Sequence, residues 1–136
     1  MYFLHGWLLA LNNRSAIDGR FQAWPYGPVE EELYHIFTQF RGSPIADYAK
    51  TWVGDEEKAF VVSKDDKIFY EVFDFVAQKY MPFTALQLSA LTHQQDTPWS
   101  KARESDSSEI SDAEIKSSFK RLISRSQQAA WVTTTK

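Results

Sequence analysis

The sequence contains no cysteine, which excludes disulfide bonds, thiolate metal sites and cysteine nucleophiles. It has only five glycines, and they do not form the Gly-rich loop that binds phosphate groups. Neither G-x-S-x-G nor HExxH occurs, so the sequence does not predict the serine elbow of a hydrolase or the zinc-binding helix of a metallopeptidase. The lack of cysteine fits a reducing cytoplasm.

Two further features are lacking: an excess of positive charge and a long apolar run. The net charge of -3 gives no support to nucleic-acid binding. The first eleven residues, MYFLHGWLLAL, are too short to span a bilayer and are interrupted by His5. They also lack the basic leader and cleavage site of a signal peptide. We therefore expect a cytoplasmic protein without a membrane segment.

What the chain does have is enough apolar sequence for one compact domain. It has 136 residues, of which 43% are hydrophobic and 15% aromatic. Helical apolar spacing and capping residues predict five helices. These cover residues 2–11 (a buried helix ended by Asn12 or Asn13), 28–42, 64–80 (capped by Ser63), 85–93 (capped by Thr84), and a last helix opened by a capping box of Ser111 and Glu114.

The remaining segments are predicted to be irregular or extended. One short β-hairpin is expected near residues 17–26, and residues 43–62 fit either a short helix or an extended cover. Residues 97–99 are expected to anchor a loop, followed by an exposed, mobile loop over 100–109. The predicted fold is mainly α, a small single-domain helical fold over residues 1–125. A C-terminal tail follows over 126–136, with Trp131 as its anchor.

The stretch AWPYGPVEEELYHIF (residues 23–37) concentrates rigid and aromatic residues at one corner. Pro25 favours an extended Trp24, and Pro28 suits the first turn of a helix. The three glutamates at 30–32 then lie where carboxylates interact well with the helix dipole. The stretch could form a plain turn, a ligand pocket or a surface that holds a partner.

The residues that could carry chemistry are scattered. The histidines His5, His35 and His93 do not have the spacing of metal ligands, so we expect hydrogen-bonded interior or boundary residues rather than a zinc site assembled in space. We predict no catalytic residue, no metal, no cofactor and no enzymatic activity. Pairs of carboxylates acting as acid and base stay open.

Two groups of residues could bind a partner. Lys116, Lys120, Arg121 and Arg125 form a basic face on the last helix, which could meet an acidic partner or nucleic acid, or simply be solvated. The second group is aromatic, because tryptophan and tyrosine are preferred both in cores and at interfaces. It comprises Trp7, Trp24, Trp52 and Trp99, with Tyr26 beside the prolines.

The order of three motifs is more specific than any one of them. HGWLLAL is followed by AWPYGPVEEELYHIF and, much later, by LSALTHQQDTPW. This order resembles the Panacea domain family, which includes SocA-like antitoxin domains and phage-associated GepA-like proteins, and the resemblance runs from about residue 2 to about residue 122. The residues that carry it are Trp24, Tyr26, Gly27, Pro28, Leu33, Tyr34, Leu88, Leu91, Thr92, His93, Pro98 and Trp99.

The resemblance implies a small helical domain without known catalytic residues that neutralises a toxin encoded beside it by direct contact. Some members act as proteolytic adaptors that deliver the toxin to an AAA+ protease. The alternative is a phage or mobile-element protein that uses the scaffold to bind and inhibit a host protein. Either would act in the cytoplasm of a bacterial or phage-infected cell. The candidate partner-binding residues are Trp24, Tyr26, Tyr34, His35, His93, Trp99, Lys116 and Lys120.

One departure from the family pattern concerns the start of the chain. Family members commonly carry a leading helix before the segment that resembles YFLHGW, whereas this chain begins there. A truncated domain would leave an apolar patch on its first helix or cover it with another chain. We therefore expect self-association into a homo-oligomer or an obligate partner.

Overall fold

The computed structural model describes the backbone of residues 1–134 and the side chains of residues 1–127. The helices are α1 (Tyr2–Asn12), α2 (Glu31–Phe37), α3 (Lys67–Tyr80), α4 (Ala85–Thr92), α5 (Pro98–Glu104) and α6 (Asp112–Thr134). The strands are β1 (Phe21–Trp24), β2 (Gly27–Glu30), β3 (Lys50–Val53), β4 (Glu56–Ala59) and β5 (Glu109–Ile110). The predicted mainly helical fold with a short hairpin is confirmed. The predicted anchor Trp131 lies outside the described side chains, and the division into a 1–125 domain and a 126–136 tail stays a prediction.

Helix α1 forms the centre of the core, as the sequence predicts. Its residues from Leu4 to Leu9 are all buried, and it packs against α6 and α3. The indole Nε1 of Trp7 donates to the hydroxyl of Tyr80 on α3 at 3.0 Å. The chain itself covers the middle of α1, whereas Tyr2 and Phe3 line an open groove, and the expected self-association or obligate partner stays a prediction.

The close contact of α1 and α6 depends on a glycine. A Cβ atom on Gly6 would lie 2.3 Å from the ring of Phe119, which is far inside van der Waals contact. Glycine is therefore the residue that lets the phenyl ring reach the backbone of α1. A larger residue at position 6 would push the two helices apart.

Most predicted helix ends are confirmed because they depend on local chemistry. Asn13 ends α1 in the left-handed conformation, with φ of 53°. Thr84 forms a capping box at the start of α4, and Ser111 accepts from the backbone N–H of Glu114 at 3.2 Å. The cap predicted at Ser63 is wrong: Asp66 caps α3 instead, accepting from the N–H of Phe69 at 3.1 Å.

The hairpin β1–β2 lies four residues further along the chain than residues 17–26. Its strands belong to a three-stranded antiparallel sheet with the order β2–β1–β5. Phe21 pairs with Ile110 of β5, and both side chains are buried. The turn falls at Pro25 and Tyr26, so the strands form on either side of that corner. Pairing with the two-residue strand β5 is a long-range contact that local spacing cannot reveal.

The segment 43–62 contains a second hairpin, β3–β4. Its turn includes Gly54, with φ of 65°, and Trp52 pairs with Glu57. Trp52 is 69% exposed, so the prediction that it lies in the core or at its rim is wrong. Of the two alternatives for this segment, the extended one is correct.

Two helix boundaries differ from the sequence prediction. Helix α2 begins at Glu31 because Pro28 lies in β2, and the side chain of Glu30 caps the helix by accepting from the N–H of Leu33 at 2.8 Å. Helix α2 ends at Phe37 and continues as a single 3-10 turn over Thr38–Phe40. The shorter helix still keeps carboxylates in its first turn.

The loop predicted after Trp99 is a helix. Thr97 caps α5 by accepting from the N–H of Ser100 at 3.1 Å, and Pro98 occupies the first turn, where its missing N–H costs nothing. Ser100 and Ala102 are buried, so the prediction of an exposed loop is wrong for residues 100–104, whereas residues 105–108 are exposed and lie outside any helix or strand. Within residues 1–134, no helix is both long and apolar enough to cross a bilayer.

Candidate partner-binding site at the clamped turn

Helices α4 and α5 hold the β1–β2 turn by its backbone. Four consecutive carbonyl oxygens, from Ala23 to Tyr26, each accept a hydrogen bond from a different side chain. Arg103 Nη1 donates to Ala23 at 3.2 Å, Trp99 Nε1 to Trp24 at 2.7 Å, His93 Nε2 to Pro25 at 3.0 Å and Ser89 Oγ to Tyr26 at 2.7 Å. We call residues 23–27 the clamped turn.

The donors come in two pairs that follow from helical geometry. Ser89 and His93 are four residues apart along α4 and its C-cap, and Trp99 and Arg103 are four residues apart on α5, so each pair lies on one helix face. The rings of His93 and Trp99 have centroids 3.8 Å apart. The guanidinium of Arg103 lies 5.9 Å from the centre of the Trp99 ring, which adds a cation–π contact.

The ring of His93 is held from both sides. Its Nδ1 lies 2.6 Å from the carbonyl oxygen of Ser89, while Nε2 faces Pro25. Both contacts are to carbonyl oxygens, which can only accept, so each ring nitrogen donates to its carbonyl in the form of the ring that carries a proton on it, and the doubly protonated ring donates to both. This residue is therefore a structural link between the two sequence motifs.

The backbone conformation of the turn differs from the one that two-residue hairpins favour. Two-residue hairpins favour turns with positive φ at their central residues, but Pro25 fixes a negative φ and Tyr26 has no positive φ. The unusual angle falls on Gly27 instead, with φ of 133°. A Cβ on Gly27 would also lie 3.1 Å from Oγ1 of Thr92. The positive φ at position 27 therefore favours glycine, and the close approach of α4 leaves little room for a Cβ atom there.

The clamp leaves one large side chain projecting into solvent. Tyr26 is 88% exposed although its own backbone carbonyl is hydrogen-bonded to α4. The neighbouring ring of Trp24 is half-buried and meets Tyr34 edge to face, with centroids 4.8 Å apart. Trp24 Nε1 donates to Gln22 Oε1 at 2.7 Å, which fixes its orientation. Hydrogen bonds therefore hold the backbone of the turn, while the side chain of Tyr26 projects into solvent.

An open groove of about 930 Å³ begins beside Tyr26. We call it the α2 groove, because α2 forms one wall while β2 and α4 form the others. Its lining is mainly apolar and includes Phe21, Val29, Leu33, Tyr34, Phe37 and Leu88. No residue of α2 is fully buried, although this helix carries an apolar stripe.

The charges beside the groove are mainly negative. Glu30 lines it but is used as the cap of α2. Glu31 accepts from Gln22 Nε2 at 2.8 Å, and Glu32 is exposed. Arg41 is the basic side chain of the lining. At the base of the groove, burial raises the pKa of the Tyr2 hydroxyl and keeps it protonated.

The structure brings together five of the eight predicted binding residues directly and a sixth at the edge. Trp24 and Tyr26 belong to the clamped turn, His93 and Trp99 hold it, and Tyr34 contacts Trp24. His35 is exposed beside Tyr34 and lies 3.7 Å from Glu31, so it is not an interior histidine.

The two predicted lysines lie on α6 instead. Lys116 donates to the side chain of Asn13 at the end of α1 at 2.6 Å, and Lys120 is exposed. Neither residue is part of the clamped turn or of the groove lining. The structure thus separates the basic face of α6 from the aromatic site.

The histidines do not form a common site. His5 is fully buried, where Nδ1 accepts from the N–H of Ala16 at 3.2 Å and Nε2 donates to Asp112 at 2.8 Å. The interpretation as a hydrogen-bonded residue is confirmed for His5 and for His93. Among the residues whose side chains are described, no cluster of three or more His, Cys, Asp or Glu could hold a metal ion.

Sequence reasoning missed Ser89 and Arg103. Both could have been found by their spacing, because each lies four residues from a motif residue on the same helix, His93 and Trp99 respectively. For Arg103, the four-residue spacing from Trp99 is informative only if residues 98–104 are taken as a helix, whereas the sequence analysis predicts a loop there.

Comparison with known proteins matches the part of the chain that contains the clamped turn. The family described as "Antitoxin SocA-like, Panacea domain" matches residues 1–100, which include Ser89, His93 and Trp99. A curated relative, Antitoxin SocA of Caulobacter vibrioides (strain NA1000 / CB15N), is 29% identical over 100 residues, covering 73% of this chain and 53% of the relative.

The chain therefore spans about half the length of this curated relative. No solved structure matches the chain. The family match covers most of the sequence, and it contains both motifs that the clamp joins. The chain belongs to the SocA-like antitoxin family defined by the Panacea domain.

Proposed function

We propose that this protein is the antitoxin of a toxin–antitoxin system and neutralises its cognate toxin by direct contact in the bacterial cytoplasm. The observation that carries the proposal is the family match over residues 1–100, which contain the clamped turn and three of the four side chains that hold it. The relative that is named an antitoxin aligns over the same length of chain.

The geometry of the site suits binding better than catalysis. The polar side chains of the clamp are already satisfied by backbone carbonyls, so they are not free to act on a substrate. What faces solvent is an exposed tyrosine beside an open apolar groove. Exposed aromatic residues on a rigid surface are the usual anchors of protein interfaces. We propose that the protein is not an enzyme and uses no cofactor.

The fate of the bound toxin distinguishes two forms of this function. In the first, the antitoxin sequesters the toxin in a stable complex. In the second, it acts as an adaptor that delivers the toxin to an AAA+ protease. Immunoblotting of the toxin after synthesis is stopped separates them: its level stays constant in the first form and falls only when the protease is present in the second.

Co-expression with the product of the adjacent open reading frame tests the proposal. We expect that the adjacent gene alone arrests growth, that this protein restores growth, and that the two proteins co-purify. A harmless neighbour, or toxicity that persists with this protein present at equal level, would contradict the proposal. Recovery of a host protein, without the adjacent product, would instead support the phage or mobile-element alternative, represented by GepA-like relatives.

A further inference from the structure

We infer that the α2 groove binds a basic, amphipathic segment of the partner protein, with Tyr26 as the principal anchor. Apolar residues of this segment enter the groove, and its lysine or arginine residues face the glutamates at the start of α2. The inference rests on the proposed function only in taking the partner to be a protein.

The first support is the incomplete burial of the apolar stripe of α2. Leu33, Ile36 and Phe37 give this helix an apolar stripe, yet none of them is fully buried. A surface helix normally buries such a stripe against its own domain. Here the stripe borders an open groove, in which a partner segment would replace water with apolar contacts.

The second support is the way Tyr26 is held. Its backbone is fixed by Ser89, and the preceding carbonyl by His93, so the ring projects from a preorganised turn. A backbone that is already held in place loses little freedom when the side chain it carries binds a partner. Tyrosine has an apolar ring and a polar tip, which makes it suited to the edge of an apolar groove.

The third support is charge, and it selects the chemistry of the occupant. Glu31 is three residues before Tyr34, so both lie on the same side of α2, and Glu32 is exposed beside them. Arg41 is a basic side chain of the lining, against the two exposed carboxylates of Glu31 and Glu32. The faces of Tyr26 and Tyr34 also attract cations. An acidic segment would be repelled at this rim, whereas a basic one gains from both features.

A second copy of this chain is the main rival occupant. Helix α6 carries the basic residues Lys120, Arg121 and Arg125, which could face the same carboxylates. Sedimentation velocity of the free protein separates the two. We expect a monomer whose sedimentation does not change in the Glu31→Lys/Glu32→Lys variant. A dimer that this variant dissociates would overturn the inference in favour of self-association.

The probes are two synthetic fluorescent peptides with the same apolar residues at helical spacing, one with lysine and one with glutamate at every polar position. Fluorescence anisotropy measures their binding to the full chain. We expect the lysine peptide to bind at least about ten-fold more tightly than the glutamate peptide, with the difference shrinking at high salt. Equal binding of the two peptides, or none of the lysine peptide, would overturn the inference.

Variants locate the binding surface. Glu31→Lys/Glu32→Lys is expected to weaken lysine-peptide binding by at least about ten-fold, as is Tyr26→Ala. The matched control is Glu56→Lys/Glu57→Lys, which makes the same charge change on the exposed strand β4 and should change binding less than about three-fold. Equal effects of the two double variants would show attraction by net charge alone and overturn the inference. Circular dichroism checks folding, and Glu31→Gln/Glu32→Gln gives a milder second variant.

The same variants separate this inference from the proposed function. If the product of the adjacent gene binds and is neutralised equally by wild type and Glu31→Lys/Glu32→Lys, the groove inference fails and the function stands. If that product does not bind but the lysine peptide does, with the expected variant effects, the function fails and the groove inference stands.

Discussion

Nε2 of His93 lies 3.0 Å from the carbonyl oxygen of Pro25, a contact between residues 68 positions apart. It joins the two motifs that identify the family at the level of sequence. Three neighbouring hydrogen bonds repeat the arrangement along the turn, from Ser89, Trp99 and Arg103. In this chain the two motifs therefore build one structural device: a backbone corner and three of the four side chains that hold it.

Replacing Trp99 with Phe tests the clamp. The indole N–H is lost, and the half-buried carbonyl of Trp24 loses its donor. We expect the free energy of unfolding to fall by about 1–3 kcal/mol, as for other unpaired polar groups. Urea denaturation followed by circular dichroism measures it. The control is Trp52→Phe, the same change at an exposed site, which should alter stability by less than about 0.5 kcal/mol. Equal effects would contradict the clamp.

Replacing Gly6 with Ala tests the packing of α1 against α6. The new methyl group would lie 2.3 Å from the Phe119 ring, so the ring or the helix must move. Overpacking of this kind typically costs about 1–3 kcal/mol of stability. Gly42→Ala is the control, because nothing lies within 4 Å of a Cβ at that position. A Gly6→Ala variant as stable as Gly42→Ala would refute this packing.

Asp66 predicts a particular dependence of stability on pH. Hydrogen bonds from Arg14 and then from the N–H of Phe69 lower the pKa of its carboxyl group from 3.8 to about 2. Because the folded pKa is the lower one, ionised Asp66 stabilises the fold fully above about pH 5, and this stabilisation is lost as pH falls towards 2.

The Asp66→Asn variant isolates this contribution. Asparagine can still cap α3, but it cannot ionise. We expect the wild type to be more stable than the variant at pH 6, and the difference to shrink steadily by pH 2. Thermal unfolding of both proteins across this range is the measurement. A difference that stays constant or grows on acidification would contradict the proposed role of the Arg14–Asp66 pair.

The parts of the fold that could be predicted from sequence depend on local chemistry. The periodic apolar residues of α1, α3 and α6, the end of α1 at Asn13, and the caps at Thr84 and Ser111 are encoded within a few neighbouring residues. Such signals need no knowledge of the tertiary structure. The position of α5 carried a signal too, because Thr97 and Pro98 are a typical cap and first residue.

The parts that could not be predicted depend on contacts between distant segments. Strand β5 has only two residues and exists because it pairs with β1. The partner-binding site was predicted as a set of aromatic and histidine residues with Lys116 and Lys120, but sequence could not distinguish the side chains that project into solvent from those that hold the turn. The structure makes that division: His93 and Trp99 hold the turn, and Tyr26 projects from it.

The affinity of the Tyr26→Ala variant for the product of the adjacent gene tests the central claim most directly. Tyr26 is 88% exposed, so the variant should melt within experimental error of the wild type. In isothermal titration calorimetry we expect the wild type to form a complex and the variant to bind at least about ten-fold more weakly. Tyrosines that a partner buries at an interface are frequent hot spots of binding. Equal affinities of the two proteins, or no complex with the wild type, would contradict a toxin-binding surface built around the clamped turn.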